Sequence, residues 1–118
     1  MLPVQARALT GTALFVDVRE TEEYEAGHVE GSVHLPIGEI RARWQELLGH
    51  EPVVVVCQIG QRSGLVADFL RGQGLDAHNL EGGLEAWSRA GLALTAASAR
   101  GAVVDGFARD LSGRRIGG

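Results

Sequence analysis

Pro52-Val53-Val54-Val55-Val56-Cys57-Gln58-Ile59-Gly60-Gln61-Arg62-Ser63 is the stretch on which the fold turns. Four consecutive β-branched residues behind a proline form a strand that is apolar on both faces. That is the pattern of a central strand in a parallel sheet covered on both sides. A cysteine ends the strand, and a helix is expected from Ser63 to Arg71, with Leu65, Val66, Phe69 and Leu70 toward the core. In parallel α/β sheets ligands bind outside the carboxyl ends of the strands, so Cys57 lies where a site is expected.

Apolar runs and helical patterns alternate on either side, which predicts an α/β domain with a mainly parallel sheet of four or five strands. Upstream, Ala13–Arg19 reads as a buried strand, and a short helix follows with Thr21 as N-cap and Gly27 as its end. Ser32–Leu35 reads as a second short strand. Ile37–Leu48 has apolar residues three and four apart, predicting one amphipathic helix stopped by Gly49. Downstream, Gly72 and Gly74 end the helix that follows the cysteine, Ala77–Leu80 reads as a strand, and Leu84–Ala90 as a last helix carrying Trp87.

Residues 1–94 form the expected domain, and 95–118 a tail. Residues 1–94 hold 7 basic and 13 acidic groups, a net of −6, whereas 95–118 hold 4 and 2, a net of +2. In the tail, Val103 or Val104, Phe107 and Leu111 make one apolar stripe suited to a short helix, ahead of a loose end at Gly113–Gly118.

Composition narrows the function. The formal charge is −4 over 118 residues, and every basic residue is an arginine. Such a chain lacks the electrostatic footprint for coating nucleic acid or an anionic membrane. The longest apolar run, Val53–Cys57, is too short to span a bilayer, and Met1–Gln5 lacks a secretory pattern, so the expected location is cytoplasmic. One cysteine makes no internal disulfide, and nothing is spaced like a zinc site. Glycine, at 17 residues, is about twice its average usage and points to tight turns.

The chemistry lies in Cys57-Gln58-Ile59-Gly60-Gln61-Arg62-Ser63. Backbone N–H groups of a tight loop meeting a helix N-terminus form an anion receptor. Gly60 lets the backbone turn, and Arg62 adds a planar cationic fork. The same field lowers a thiol's pKa from about 8.5 to roughly 3.5–7.5. Cys57 is therefore read as a thiolate nucleophile needing no neighbouring general base. The plainer alternative is a buried cysteine acting as a small hydrophobe.

These segments resemble a single-domain rhodanese, a sulfurtransferase family, over about residues 10–94. Asp17-Val18-Arg19-Glu20, Glu23, Gly27-His28-Val29-Glu30-Gly31 and Leu35-Pro36 follow the family's N-terminal signature. Cys57-x-x-Gly60-x-Arg62-Ser63 follows its active-site loop. Leu80-Glu-Gly-Gly-Leu-Glu-Ala-Trp87 with Gly91 follows its C-terminal signature. The resemblance implies a three-layer α/β/α domain that moves sulfane sulfur through a Cys57 persulfide. The donor would be thiosulfate or a persulfide and the acceptor a thiol or cyanide, with a partner protein as another source or sink. Gln58, Ile59, Gly60, Gln61, Arg62 and Ser63 would bind the donor, with no metal or organic cofactor. A monomer and a homodimer both fit.

The match departs from the family where thiosulfate-active members carry a basic residue directly after the cysteine. Here Gln58 and Ile59 are uncharged, which suits a persulfide delivered by a small thiol or a protein better than thiosulfate. Phosphatases and arsenate reductases resembling the family place five residues between Cys and Arg. This chain has four, Gln58 to Gln61, a ring too narrow for a phosphoryl group. A regulatory module that keeps the fold without turnover is the third reading.

Other residues read as architecture. Asp17 and Arg19 suit an ion pair fixing the loop after the strand. His28 suits a turn-closing hydrogen bond, Trp44 and Trp87 the core, and Gly82 and Gly83 a sharp turn beside the cysteine loop.

Overall fold

Val53, Val54, Val55 and Val56 are all completely buried, as a strand apolar on both faces requires. They form β3 (Val53–Val56) in a computed structural model that describes residues 1–96. β1 (Leu14–Asp17) lies beside it, β2 (Val33–His34) beyond β1, and β4 (Ala77–Asn79) on the other side. The order is β2-β1-β3-β4 and all three pairings are parallel, with Asp17 opposite Val56 and Val55 opposite Asn79.

The two-residue period of the strands builds two cores. Leu14, Val16, Val53 and Val55 face one way and pack with Leu35, Ile40, Leu47, Val66 and Leu70. Phe15, Val54 and Val56 face the other way and meet Ala6, Val29, Leu80, Leu84 and Trp87. The first core is covered by α3 (Ile40–Arg43) and α4 (Gln61–Gly72), and the second by α1 (Pro3–Arg7) and α5 (Gly83–Arg89). α2 (Thr21–Ala26) follows β1 and buries Tyr24 between the rings of His28 and His34, at centroid distances of 3.9 and 4.7 Å. The result is a three-layer α/β/α fold.

Several local expectations change. Glu20 rather than Thr21 caps α2, because the Glu20 amide donates to the Glu23 carboxylate at 3.0 Å, leaving Thr21 in the first turn. Ile37–Leu48 is not one α-helix. It runs as a 3₁₀ turn (Ile37–Glu39), α3, and a second 3₁₀ turn (Trp44–Leu47). Gly38 in the opening turn weakens the helix there, and Arg43 is held between Glu39 and Glu46 at 2.6 and 2.9 Å as the backbone tightens.

Leu65, which helical spacing places toward the core, is 68% exposed. The buried stripe of α4 is Ser63, Val66, Ala67 and Leu70, and one residue's rotation on a helix carries Leu65 off it. α4 also starts two residues before Ser63, since Gly60 completes the loop in the left-handed region at φ +97°. Thr95, placed in the tail by composition, pairs with His28 through two backbone hydrogen bonds of 2.8 and 2.9 Å. The expected tail helix around Phe107 lies outside the described residues.

Candidate active site

β3 delivers Cys57 to the carboxyl edge of the sheet, and the loop to α4 folds back over its sulfur. The amides of Gly60 and Ser63 donate to Cys57 Sγ at 3.1 and 3.3 Å, and the Ser63 hydroxyl lies 3.2 Å away. Cys57 itself is completely buried. Burial raises its pKa, but the Ser63 hydroxyl and the amides of Ser63, Gly60 and Ile59 outweigh that cost and bring the thiol below its ordinary value. The donors converge on the sulfur, an environment unlike that of a cysteine acting only as a small hydrophobe.

The loop's carbonyls are held on the opposite side. The first amides of α5 serve this purpose: Leu84 N–H donates to Cys57 O at 2.9 Å and Glu85 N–H to Gln58 O at 3.0 Å. That approach needs a glycine at position 83. A Cβ there would lie 2.5–2.6 Å from Gln58 C and O and Cys57 O, and φ is +64°. Turning the carbonyls toward α5 leaves the amide hydrogens free to point at sulfur.

Of the residues singled out in the loop, Gly60 and Ser63 meet the sulfur directly, and Ile59 acts through its amide. The Ile59 side chain is 49% exposed, an apolar surface beside the site. Gln58 accepts from Arg19 Nη1 at 3.3 Å, and Gln61 is exposed. Arg62 does not touch the sulfur. Its guanidinium donates to both oxygens of Glu23 at 2.8 and 3.0 Å, so much of its charge is already matched.

Arg19 ties the site to the sheet. It bonds the Asp17 carboxylate at 2.9–3.2 Å and the Gly27 carbonyl at 2.6 Å, with both ion-pair partners buried. Asp17 and Arg19 are thus a buried structural pair. His28 Nδ1 meets the Tyr24 carbonyl at 2.7 Å, a local turn contact. The pattern of residues passed over two participants. Glu23 was legible as part of a signature but not as the partner of Arg62. For Asn79 the sequence pattern indicates only a strand, and its place at the carboxyl end of a parallel strand is the signal of a site.

Among the described residues no three His, Cys, Asp or Glu side chains cluster as metal ligands, and no helix is long and apolar enough to cross a membrane. The rhodanese-like domain family model matches residues 3–90. The chain belongs to that family. Two Bacillus subtilis relatives of this rhodanese-like chain are "Uncharacterized protein YqhL", 38% identical over 76 residues, and "Putative sulfur carrier protein YrkF", 38% identical over 74. Those alignments span 64% and 62% of this chain but only 60% and 40% of the relatives. The crystal structure of a rhodanese-related protein from Thermoplasma volcanium superposes with a TM-score of 0.77 at 28% identity, covering 80% of this chain and 95% of that one.

Proposed function

We propose that this domain is a sulfurtransferase that carries sulfane sulfur on Cys57. The observation that carries the reading is the convergence of the Gly60 and Ser63 amides on a single sulfur atom, with the Ser63 hydroxyl 3.2 Å away. Such an array stabilises a thiolate, and in the loaded state it can hold the negative terminal sulfur of a persulfide. The Cys57 thiolate attacks the outer sulfur of the donor, forming a new S–S bond. The donor's S–S bond breaks, and its electron pair leaves with a thiolate, or with sulfite when thiosulfate is the donor. A thiol or cyanide then attacks the terminal sulfur, and Cys57 departs as thiolate. No oxidant or reductant is consumed.

The donor favoured by the site is a persulfide on a small thiol or a protein cysteine. Arg62 is matched by Glu23, Gln58 and Ile59 add no charge, and Ile59 offers an apolar contact. The Bacillus relative named "Putative sulfur carrier protein YrkF" supports the class of chemistry.

Turnover tests the reading. With a thiol persulfide as donor and cyanide as acceptor, the wild type should form thiocyanate and Cys57→Ser should not. Hydrolysis of an aryl phosphate in place of that activity would support the phosphatase reading. Neither activity, with the fold intact, would support a regulatory module.

A further inference from the structure

Ser63 Oγ lies 2.5 Å from Asn79 Oδ1 and 3.2 Å from Cys57 Sγ. The orientation of the Asn79 amide follows from its other contact. Nδ2 sits 3.1 Å from the Gly60 carbonyl, which can only accept, so the amide oxygen must face Ser63. An amide oxygen is also only an acceptor. The serine hydroxyl has a single proton, and two acceptors, Asn79 Oδ1 and the Cys57 thiolate, compete for it.

We infer that Asn79 is a positioning residue that withholds the Ser63 proton from the Cys57 thiolate, so that the empty site is less acidic than its loop alone would make it. With Cys57 as a thiol, S–H can donate to Ser63 Oγ while the serine donates to Asn79, and every partner is satisfied. When the thiol loses its proton, the serine must turn to sulfur and give up its short contact with a half-buried amide oxygen, or keep its lone pairs against a negative charge. In a persulfide the inner sulfur carries no charge and the conflict disappears. The asparagine therefore favours the loaded state over the bare thiolate, a consequence that rests on the sulfur-carrier reading.

Two features show that the contact is built into the fold. Asn79 ends β4 opposite Val55, two residues before the cysteine in β3. Gly64 occupies the interior of α4, where glycine costs about 1 kcal/mol relative to alanine. A Cβ there would come within 3.3 Å of Asn79 Nδ2.

The charged groups around the loop are fixed in pairs elsewhere. Arg62 of α4 is held by Glu23 of α2, and Arg19 by Asp17 of β1. Glu85 of α5 pairs with Arg89, and Glu20 and Glu81 are exposed. The Met1 ammonium, paired with Glu81, donates to the Asn79 backbone carbonyl at 3.0 Å, and none of these charged groups bonds the Asn79 side chain, so its replacement changes the proton competition and leaves those pairs in place.

Titrating the thiolate by its ultraviolet absorbance tests this without any sulfur donor, so the outcome is independent of whether the protein moves sulfur. Asn79→Leu should lower the midpoint by roughly 0.5–1 in pH, about three- to tenfold more thiolate at a pH below the midpoint. Asn79→Asp should raise it, because a carboxylate keeps the acceptor and adds a negative charge. In a Ser63→Ala background, Asn79→Leu should produce no shift. A raised or unchanged midpoint in Asn79→Leu, or an equal drop without the serine hydroxyl, would overturn the inference.

Discussion

Arg62 and Glu23 form a two-pronged ion pair, at 2.8 and 3.0 Å, that joins α4 to α2 beside the cysteine loop. Both terminal nitrogens of the guanidinium fork thus already donate to a carboxylate. Releasing the fork should change donor preference. Glu23→Gln keeps the shape and an acceptor but removes the charge, leaving Arg62 available to a dianion. Thiosulfate kcat/KM should rise up to roughly fivefold, the scale of a partly exposed charge contact. Comparing kcat/KM for thiosulfate in the two proteins checks this, and a fall would count against it.

The same pair makes stability depend on acid. Arg62 is the chief cause of the lowered Glu23 pKa, opposed by burial and helped by the Glu20 amide, bringing it from 4.5 to about 2. A depressed carboxylate adds stability above its unfolded value, and that share is lost as pH falls through its folded value. The contribution is therefore present above about 4.5 and gone below about 2. Both side chains are about one-third exposed, so screening limits it to about 1 kcal/mol or less. Urea midpoints of wild type and Glu23→Gln should differ at neutral pH and converge toward pH 2.

Gly83→Ala should disrupt the site through its backbone. The added carbon would collide with Cys57 O and with Gln58 C and O at a left-handed φ. We expect a loss of at least about 2 kcal/mol in stability, together with loss of sulfur loading. Thermal unfolding and a sulfur-loading assay on the same sample measure both.

Arg19→Ala should be among the most damaging single changes. It strands Asp17, which is completely buried, and unties both the Gly27 carbonyl and Gln58. Removing one partner of a buried pair costs about 3–5 kcal/mol, to be read from chemical denaturation.

Two leucines on α4 should behave oppositely. Leu70→Ala removes a completely buried side chain and should cost about 2–5 kcal/mol, while Leu65→Gln, at an exposed site, should fall within about 0.5 kcal/mol of wild type. Equilibrium denaturation of both variants separates these outcomes.

These two residues also mark what a one-dimensional pattern can carry. The four valines announced a doubly covered strand because both faces had to be apolar, and the cysteine's place followed from the strand's end. Periodicity locates α4 but not its rotation to within one residue, and Leu65 falls on the exposed side. The helix expected at Ile37–Leu48 had the right apolar spacing, yet three- and four-residue gaps serve 3₁₀ turns nearly as well as α-helix. Within the site, contacts made inside the loop were legible from Gly60 and Ser63. Contacts made across the fold, Glu23 with Arg62 and Asn79 with Ser63, join residues 39 and 16 positions apart, and no local spacing encodes them.

Intact-protein mass spectrometry after exposure to a thiol persulfide is the most direct test of the central claim, that the loop holds one sulfur atom on Cys57. The wild type should gain a single sulfur atom that cyanide removes, and Cys57→Ser should gain none. An unmodified wild type, or an adduct that survives in the serine variant, would contradict the account.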